Sequence, residues 1–197
     1  MSLVASSCAR ELERFECLYA CSEDPWDYRT SAYEREKYAH TLRALPGARL
    51  GAVLELGCSI GVFTEQLAAR SELVVALDFS PRAIELARER VGGLANVQLV
   101  QASFPEELPP GDWDTIVCSE ILYYLDPPTF ARATRWLAEQ LRGGACVLAV
   151  SWRGPGLDEP LRGEDVHDVL ARELARWHAL DERRAHYRLD RFDGDGR

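Results

Sequence analysis

The sequence predicts an α/β protein built on a parallel sheet. From residue 51 onward, short runs rich in Val, Leu and Ile alternate with helical patterns, which is the signature of β–α–β units. No repeat period, low-complexity tract or Gly/Ser-rich linker divides the chain. Its 197 residues therefore read as one domain. A chain of this size buries roughly 70% of its unfolded surface and needs no disulfide or metal to complete a core.

From the N-terminus, Cys8 to Ala20 carries apolar residues at 8, 12, 15, 18 and 19 with charges on the opposite face, a helical period. Pro25 and the turn residues before it read as a loop. Ser31 and Glu34 form a candidate capping box, and the helix it opens should run from Ala32 to Leu45, stopped by Pro46 and Gly47. Strands are expected at Ala52 to Leu56, Leu73 to Asp78, Val97 to Gln101, Thr115 to Cys118 and Ala145 to Val150, with helices between them. The clearest helix is Pro81 to Arg90, with Ser80 as N-cap and proline at the first helical position. Pro127 and Pro128 open another, which ends near Arg142 before Gly143 and Gly144. A last helix, Glu164 to Arg176, precedes strand-like pieces at Trp177 to Asp181 and His186 to Phe192. The gap between them is too short for a parallel crossover and fits an antiparallel hairpin.

Composition excludes several functions. Lysine and arginine total 23 against 32 acidic residues, a net charge of −9, so little counterion release would drive phosphate-backbone binding and nucleic acid is not an expected partner. No apolar run approaches the roughly 18 residues of a membrane span. Arg10, Glu11, Glu13 and Arg14 interrupt any leader-like stretch, so the expectation is a cytoplasmic chain with no membrane partner. Lys37 is the only lysine and lies in a charged helical stretch, which leaves Schiff-base chemistry one weak candidate. No P-loop of the form GxxxxGK followed by Ser or Thr occurs. Cysteines 8, 17, 21, 58, 118 and 146 form no CxxC pair and read as buried reduced thiols. The four histidines, His40, His167, His178 and His186, show no metal-ligand spacing.

Chemistry concentrates where the strands end. The first strand runs into Glu55-Leu56-Gly57-Cys58-Ser59-Ile60-Gly61, a strand-to-helix turn whose glycines let backbone approach a ligand. A dinucleotide fingerprint would need glycine at 57, 59 and 62 and fails at the last two. Asp78 ends the second strand 21 residues after Gly57, close to the offset at which a carboxylate grips ribose hydroxyls; a simple helix-cap role is the alternative. Phe79 would lie beside a bound base or pack in the core. The fourth strand delivers Ser119, Glu120 and Tyr124 to the same end.

The ExGxxxG turn resembles that of class I S-adenosylmethionine-dependent methyltransferases. The stretches DPWDYRTSAYEREKY, GCSIGVFTEQLA, CSEILYYL and SWRGPG followed by GEDVH narrow the likeness to NodS-type methyltransferases, over residues 23 to 192. That family is named for the nodulation enzyme that N-methylates a deacetylated chitooligosaccharide. The resemblance implies a Rossmann-like, doubly wound seven-stranded sheet with a C-terminal antiparallel β-hairpin, formed by residues 48–193, under a helical N-terminal lid, residues 1–47. It implies S-adenosylmethionine as cofactor, held by Trp26, Arg29, Glu55, Gly57, Gly61, Asp78, Phe79, Ser103, Phe104 and Ser119. Arg29 would reach the methionine carboxylate, for which its planar fork is shaped. Ser103 stands where relatives often place an aspartate, so its bond to the adenine would be weaker. The acceptor would be an amine of a sugar-like or other polar small molecule, with Glu120 as first candidate base, His167 as second, and Tyr124 beside them. Tyr28, Tyr33, Tyr123 and Trp152 would join Tyr124 as pocket walls. A small-molecule O-methyltransferase and a non-catalytic cofactor-binding subunit are the alternatives.

Overall fold

The computed structural model describes residues 3–154 and 159–196, with side chains from residue 10 onward. Pro155 and Gly156 of the SWRGPG stretch and the side chain of Cys8 lie outside the described residues. Helices α1 (Leu3–Cys21) and α2 (Ala32–Ala44) precede strand β1 (Leu50–Leu56). There follow α3 (Val62–Ala68), β2 (Ser71–Asp78), α4 (Pro81–Val91), β3 (Val97–Gln101), β4 (Thr115–Ser119), α5 (Pro127–Arg142), β5 (Cys146–Trp152), α6 (Gly163–Glu173), β6 (His178–Arg183) and β7 (Tyr187–Asp193). The seven strands form one sheet in the order β3-β2-β1-β4-β5-β7-β6. The first five are parallel, and β7 runs antiparallel to both β5 and β6. The C-terminal hairpin is therefore present, and it closes one side of the sheet.

Alternation along the buried strands sends side chains to two layers. Leu54 and Leu56 of β1, with Ile116 and Cys118 of β4, join Leu137 and Leu141 of α5 and Val166 and Leu170 of α6 on one face. Val53, Val117 and Leu148 point the other way, onto Phe63 and Leu67 of α3, Ile84 and Ala87 of α4, and Tyr38 of α2. Phe15 and Tyr19 of α1 form a smaller cluster with Ile60, Ala83 and Leu86. That cluster places α1 over the β1–α3 turn and α4. Chain order reverses at β1, whose neighbours are β2 and β4, so the crevice at the carboxyl ends of β1, β2 and β4 is the topological switch point where open α/β sheets bind ligands.

Three expectations are corrected. No helix joins β3 to β4: Ala102 to Asp114 runs as turns and loop, because Pro105, Pro109 and Pro110 withhold amide donors and Gly111 adds backbone freedom. Helix α6 stops at Glu173, and the stretch expected to continue it to Arg176 falls in a short 3-10 turn, Ala175–Trp177. The capping box is half made. Ser31 Oγ accepts from the Glu34 amide at 3.3 Å, but the Glu34 carboxylate turns to Lys37 instead of reaching back. The Ser80 cap of α4 forms as expected, with Oγ accepting from the Ala83 amide at 3.0 Å. No helix among the described residues is long and apolar enough to cross a membrane.

Candidate active site

At the end of β1 the backbone turns sharply through Gly57, Ser59 and Gly61, all at positive φ. The Gly57 and Cys58 amides donate to the Leu77 carbonyl and tie this turn to β2. A Cβ on Gly57 would sit 3.1 Å from the Ile121 side chain, so glycine keeps the turn open beside the end of β4. A cavity of about 670 Å³ opens here, within the range of small-molecule sites. Gly57 and Ser59 line it with Asp78 and Phe79 from the end of β2, Ser103 and Phe104 after β3, and Ser119, Glu120 and Tyr124 after β4. Phe15 and Tyr19 of α1 and Trp26 and Tyr28 of the following loop complete the wall.

Asp78 is fixed by backbone. One carboxylate oxygen accepts from the Ser59 amide at 2.9 Å and the other from the Ser80 amide at 3.0 Å. Burial pushes its carboxyl up to about 6, against the pull of those two amides. A carboxylate offers about four lone-pair sites, so two remain for a ligand's hydroxyls. Behind the turn, Glu55 is buried, and desolvation raises its carboxyl to about 8 against the Thr64 hydroxyl. It is therefore mostly neutral at pH 7.

Glu120 is fixed by side chains and a neighbouring strand. Its backbone is left-handed, at φ 56°. The carboxylate accepts from Lys37 Nζ at 2.7 Å, the Tyr123 hydroxyl at 2.9 Å and the Trp152 amide at 2.8 Å. Three donors leave about one lone-pair site toward the cavity. Tyr124 packs against the Tyr123 ring at 4.5 Å, and burial raises its hydroxyl to about 12, which makes it a poor proton acceptor at neutral pH. Phe15 stands edge-on to both Phe79, at 5.3 Å, and Tyr124, at 5.1 Å. Charged side chains lining the cavity are all acidic among the described residues, including Glu11, Asp78, Glu107, Glu120 and Asp126.

Residues 12–151 match the model of a protein family described as nodulation protein S, NodS. The chain belongs to the NodS family. It is 38% identical to nodulation protein S of Bradyrhizobium diazoefficiens over 104 residues, which are 52% of this chain and 50% of that protein. The chain thus spans about half the length of the curated relatives it matches. A crystal structure of a candidate methyltransferase from Pseudomonas syringae superposes with a TM-score of 0.72 at 35% identity, over 83% of this chain and 99% of that one. The N-methyltransferase NodS from Bradyrhizobium japonicum, in complex with S-adenosyl-L-homocysteine, has the same fold: TM-score 0.74, 24% identity, 94% and 97% coverage. The Rossmann-like, doubly wound sheet expected from the sequence is the fold these structures share.

Within this NodS-family frame, most of the residues singled out in the sequence converge on one cavity, namely Trp26, Gly57, Asp78, Phe79, Ser103, Phe104, Ser119, Glu120, Tyr124 and also Tyr28. Four do not. Gly61 faces α4, where an added Cβ would meet the Ala87 backbone at 3.3 Å, so it serves helix packing. Glu55 lies beneath the turn and does not line the cavity. Arg29 is exposed and pairs with Glu23 at 3.5 Å, outside the lining. His167 is 0% exposed on α6, with Nδ1 2.6 Å from Asp190, so the expectation that it serves as a base fails on access. Tyr123, expected as a pocket wall, is absent from the lining, as are Tyr33 and Trp152. The latter two pack edge-on at 6.1 Å, and Trp152 stacks on His186. Cys17 and Cys21 are exposed, against the expectation of burial. Phe15 and Tyr19 line the cavity and Lys37 holds Glu120, three placements that the sequence did not indicate. The apolar stripe of α1 contained the first two, and only the i, i+3 spacing of Glu34 and Lys37 hinted at the third.

Proposed function

We propose that this chain transfers the methyl group of S-adenosylmethionine to a nitrogen of a small polar acceptor. One observation carries the reading: Gly57 and Asp78, a backbone cradle and a carboxylate with spare lone pairs, open onto the same cavity as Glu120. The residues present fit the cofactor at its nucleoside end. Asp78 would accept from the ribose hydroxyls, Phe79 and Phe104 would flank the base, Ser103 would offer it a hydroxyl, and Gly57 would admit the ligand where a Cβ would crowd Ile121. Trp26, packed on Phe15 and Tyr19 at 5.8 Å, would cover the ligand and exclude water. When bound, the cofactor supplies a sulfonium-activated methyl group, so alignment is the protein's main task.

Glu120 would face the acceptor. With three donors on its carboxylate it suits an anchor that positions the acceptor's amine; the attacking nitrogen must be uncharged, so its proton leaves to solvent or to the Glu120 lone pair that faces the cavity. The charged groups lining the cavity, all acidic among the described residues, favour the same class of acceptor. Residues 1–47 would act as a lid on 48–193 within a single domain. Free thiols at Cys17, Cys21, Cys58, Cys118 and Cys146 suit a reducing cytoplasm. The test is calorimetry with S-adenosylhomocysteine, followed by a labelled-methyl assay over amino sugars, simple amines and phenols. Binding near micromolar with label on nitrogen is expected. No binding overturns the activity, and label confined to oxygen overturns the amine.

A further inference from the structure

The chain's only lysine is 3% exposed, yet no apolar role suits it. Its ammonium lies 3.0 Å from Glu34, one turn earlier on α2, and 2.7 Å from Glu120, 83 residues later in the chain. Burial alone would favour a neutral amine. The Glu120 and Glu34 carboxylates outweigh it and hold Lys37 above the ordinary lysine range. Glu34 is itself raised by burial and drawn back by Lys37. The cluster therefore joins the N-terminal segment to the end of β4 through a charged contact, and only its Glu120 end lines the cavity.

Two neutral donors, the Tyr123 hydroxyl and the Trp152 amide, already orient Glu120. What they do not supply is charge. In a cavity whose lining also holds Asp78, Asp126 and Glu11, a cation beside Glu120 offsets repulsion among the acidic groups. We propose that Lys37 is a positioning residue for the acceptor: carried by α2, its ammonium holds the Glu120 carboxylate aimed into the cavity, so this part of the acidic wall is set only while α2 is docked. The role of that wall rests on the methyl-transfer reading, whereas the ion pair does not. The other titratable groups facing the pair are Glu34, Tyr33 and Tyr38 from α2, Tyr28 from the preceding loop, Tyr123 and Tyr124 after β4, and Tyr187 from β7.

Because the chain has one lysine, protein labelled with ¹⁵N at lysine gives a single side-chain ammonium signal. That signal should persist above about pH 10.4, the value of a free lysine, and exchange about tenfold faster in Glu120→Gln as a charge-assisted bond is lost. A signal that titrates like a solvated lysine, or ignores Glu120→Gln, overturns the pair. With glucosamine as amine probe, Lys37→Met should raise KM about tenfold near pH 7 while kcat and S-adenosylhomocysteine affinity stay within about threefold of wild type. Lys37→Arg, which keeps the cation, should restore most of the KM deficit. An unchanged KM in Lys37→Met overturns the positioning role, as does an equal loss of cofactor affinity. If wild type transfers no methyl group to glucosamine or any other amine, the methyl-transfer reading fails instead, and the ammonium signal still decides the pair.

Discussion

Asp78 and Glu120 face one cavity from neighbouring regions of the sheet edge, and they are held there by opposite means. Asp78 takes two backbone amides, from Ser59 and Ser80, both within 19 residues of it. Glu120 takes an ammonium from α2, a hydroxyl from the turn after β4 and an amide from β5. Amides of a strand-end turn are present whatever side chains surround them. A wall assembled from three elements depends on each of them and on their docking. The first arrangement suits a ligand that never varies. The second can be retuned by single substitutions.

The largest expected contrast follows from removing the backbone-held carboxylate. Asp78→Ala should weaken S-adenosylhomocysteine binding by about 2 to 3 kcal/mol, the scale of charge-assisted hydrogen bonds. Tyr123→Phe should leave that affinity within about twofold, and calorimetry that showed equal losses would erase the division between the two walls. Next in size is pH. With Asp78 raised to about 6, its carboxylate form, which accepts from the ligand, is depleted below that value. Affinity for S-adenosylhomocysteine should therefore be flat above pH 7 and fall up to about tenfold per pH unit below 6. Asp78→Asn should abolish the fall, and a slope that survived in that variant would assign it elsewhere. Smallest is the loss of one neutral donor from Glu120. Tyr123→Phe should lower unfolding stability by about 1 kcal/mol in a denaturant titration, and an unchanged midpoint would show that Lys37 and the Trp152 amide hold Glu120 without it.

The same division explains what could be read from the sequence. Gly57, Asp78 and the Ser80 cap depend on short-range spacing, so their residues announced the turn, the carboxylate and the helix start. The central strands β1, β2, β4 and β5 were legible for a related reason, since burial on both faces selects Val, Leu and Ile in runs. The loop before β4 was read as helical because its prolines were given too little weight. Lys37 looked like part of a solvated face, flanked as it is by Arg35 and Glu36, and nothing nearby in the sequence marks Glu120 as its partner. His167 looked available because Asp190 lies 23 residues away on β7. Arg29 was assigned through family likeness, and here its guanidinium turns outward to Glu23.

The burial of Lys37 also bears on handling the protein. Surface amines are the usual targets of acylating dyes, biotin esters and activated resins, and on this chain no side-chain amine is open to them. Such reagents should leave Lys37 untouched in the closed fold while reacting with any accessible α-amino group. Modification of Lys37 in addition would report that α2 had lifted from the sheet, so an ordinary conjugation reaction doubles as a footprint of the closed fold.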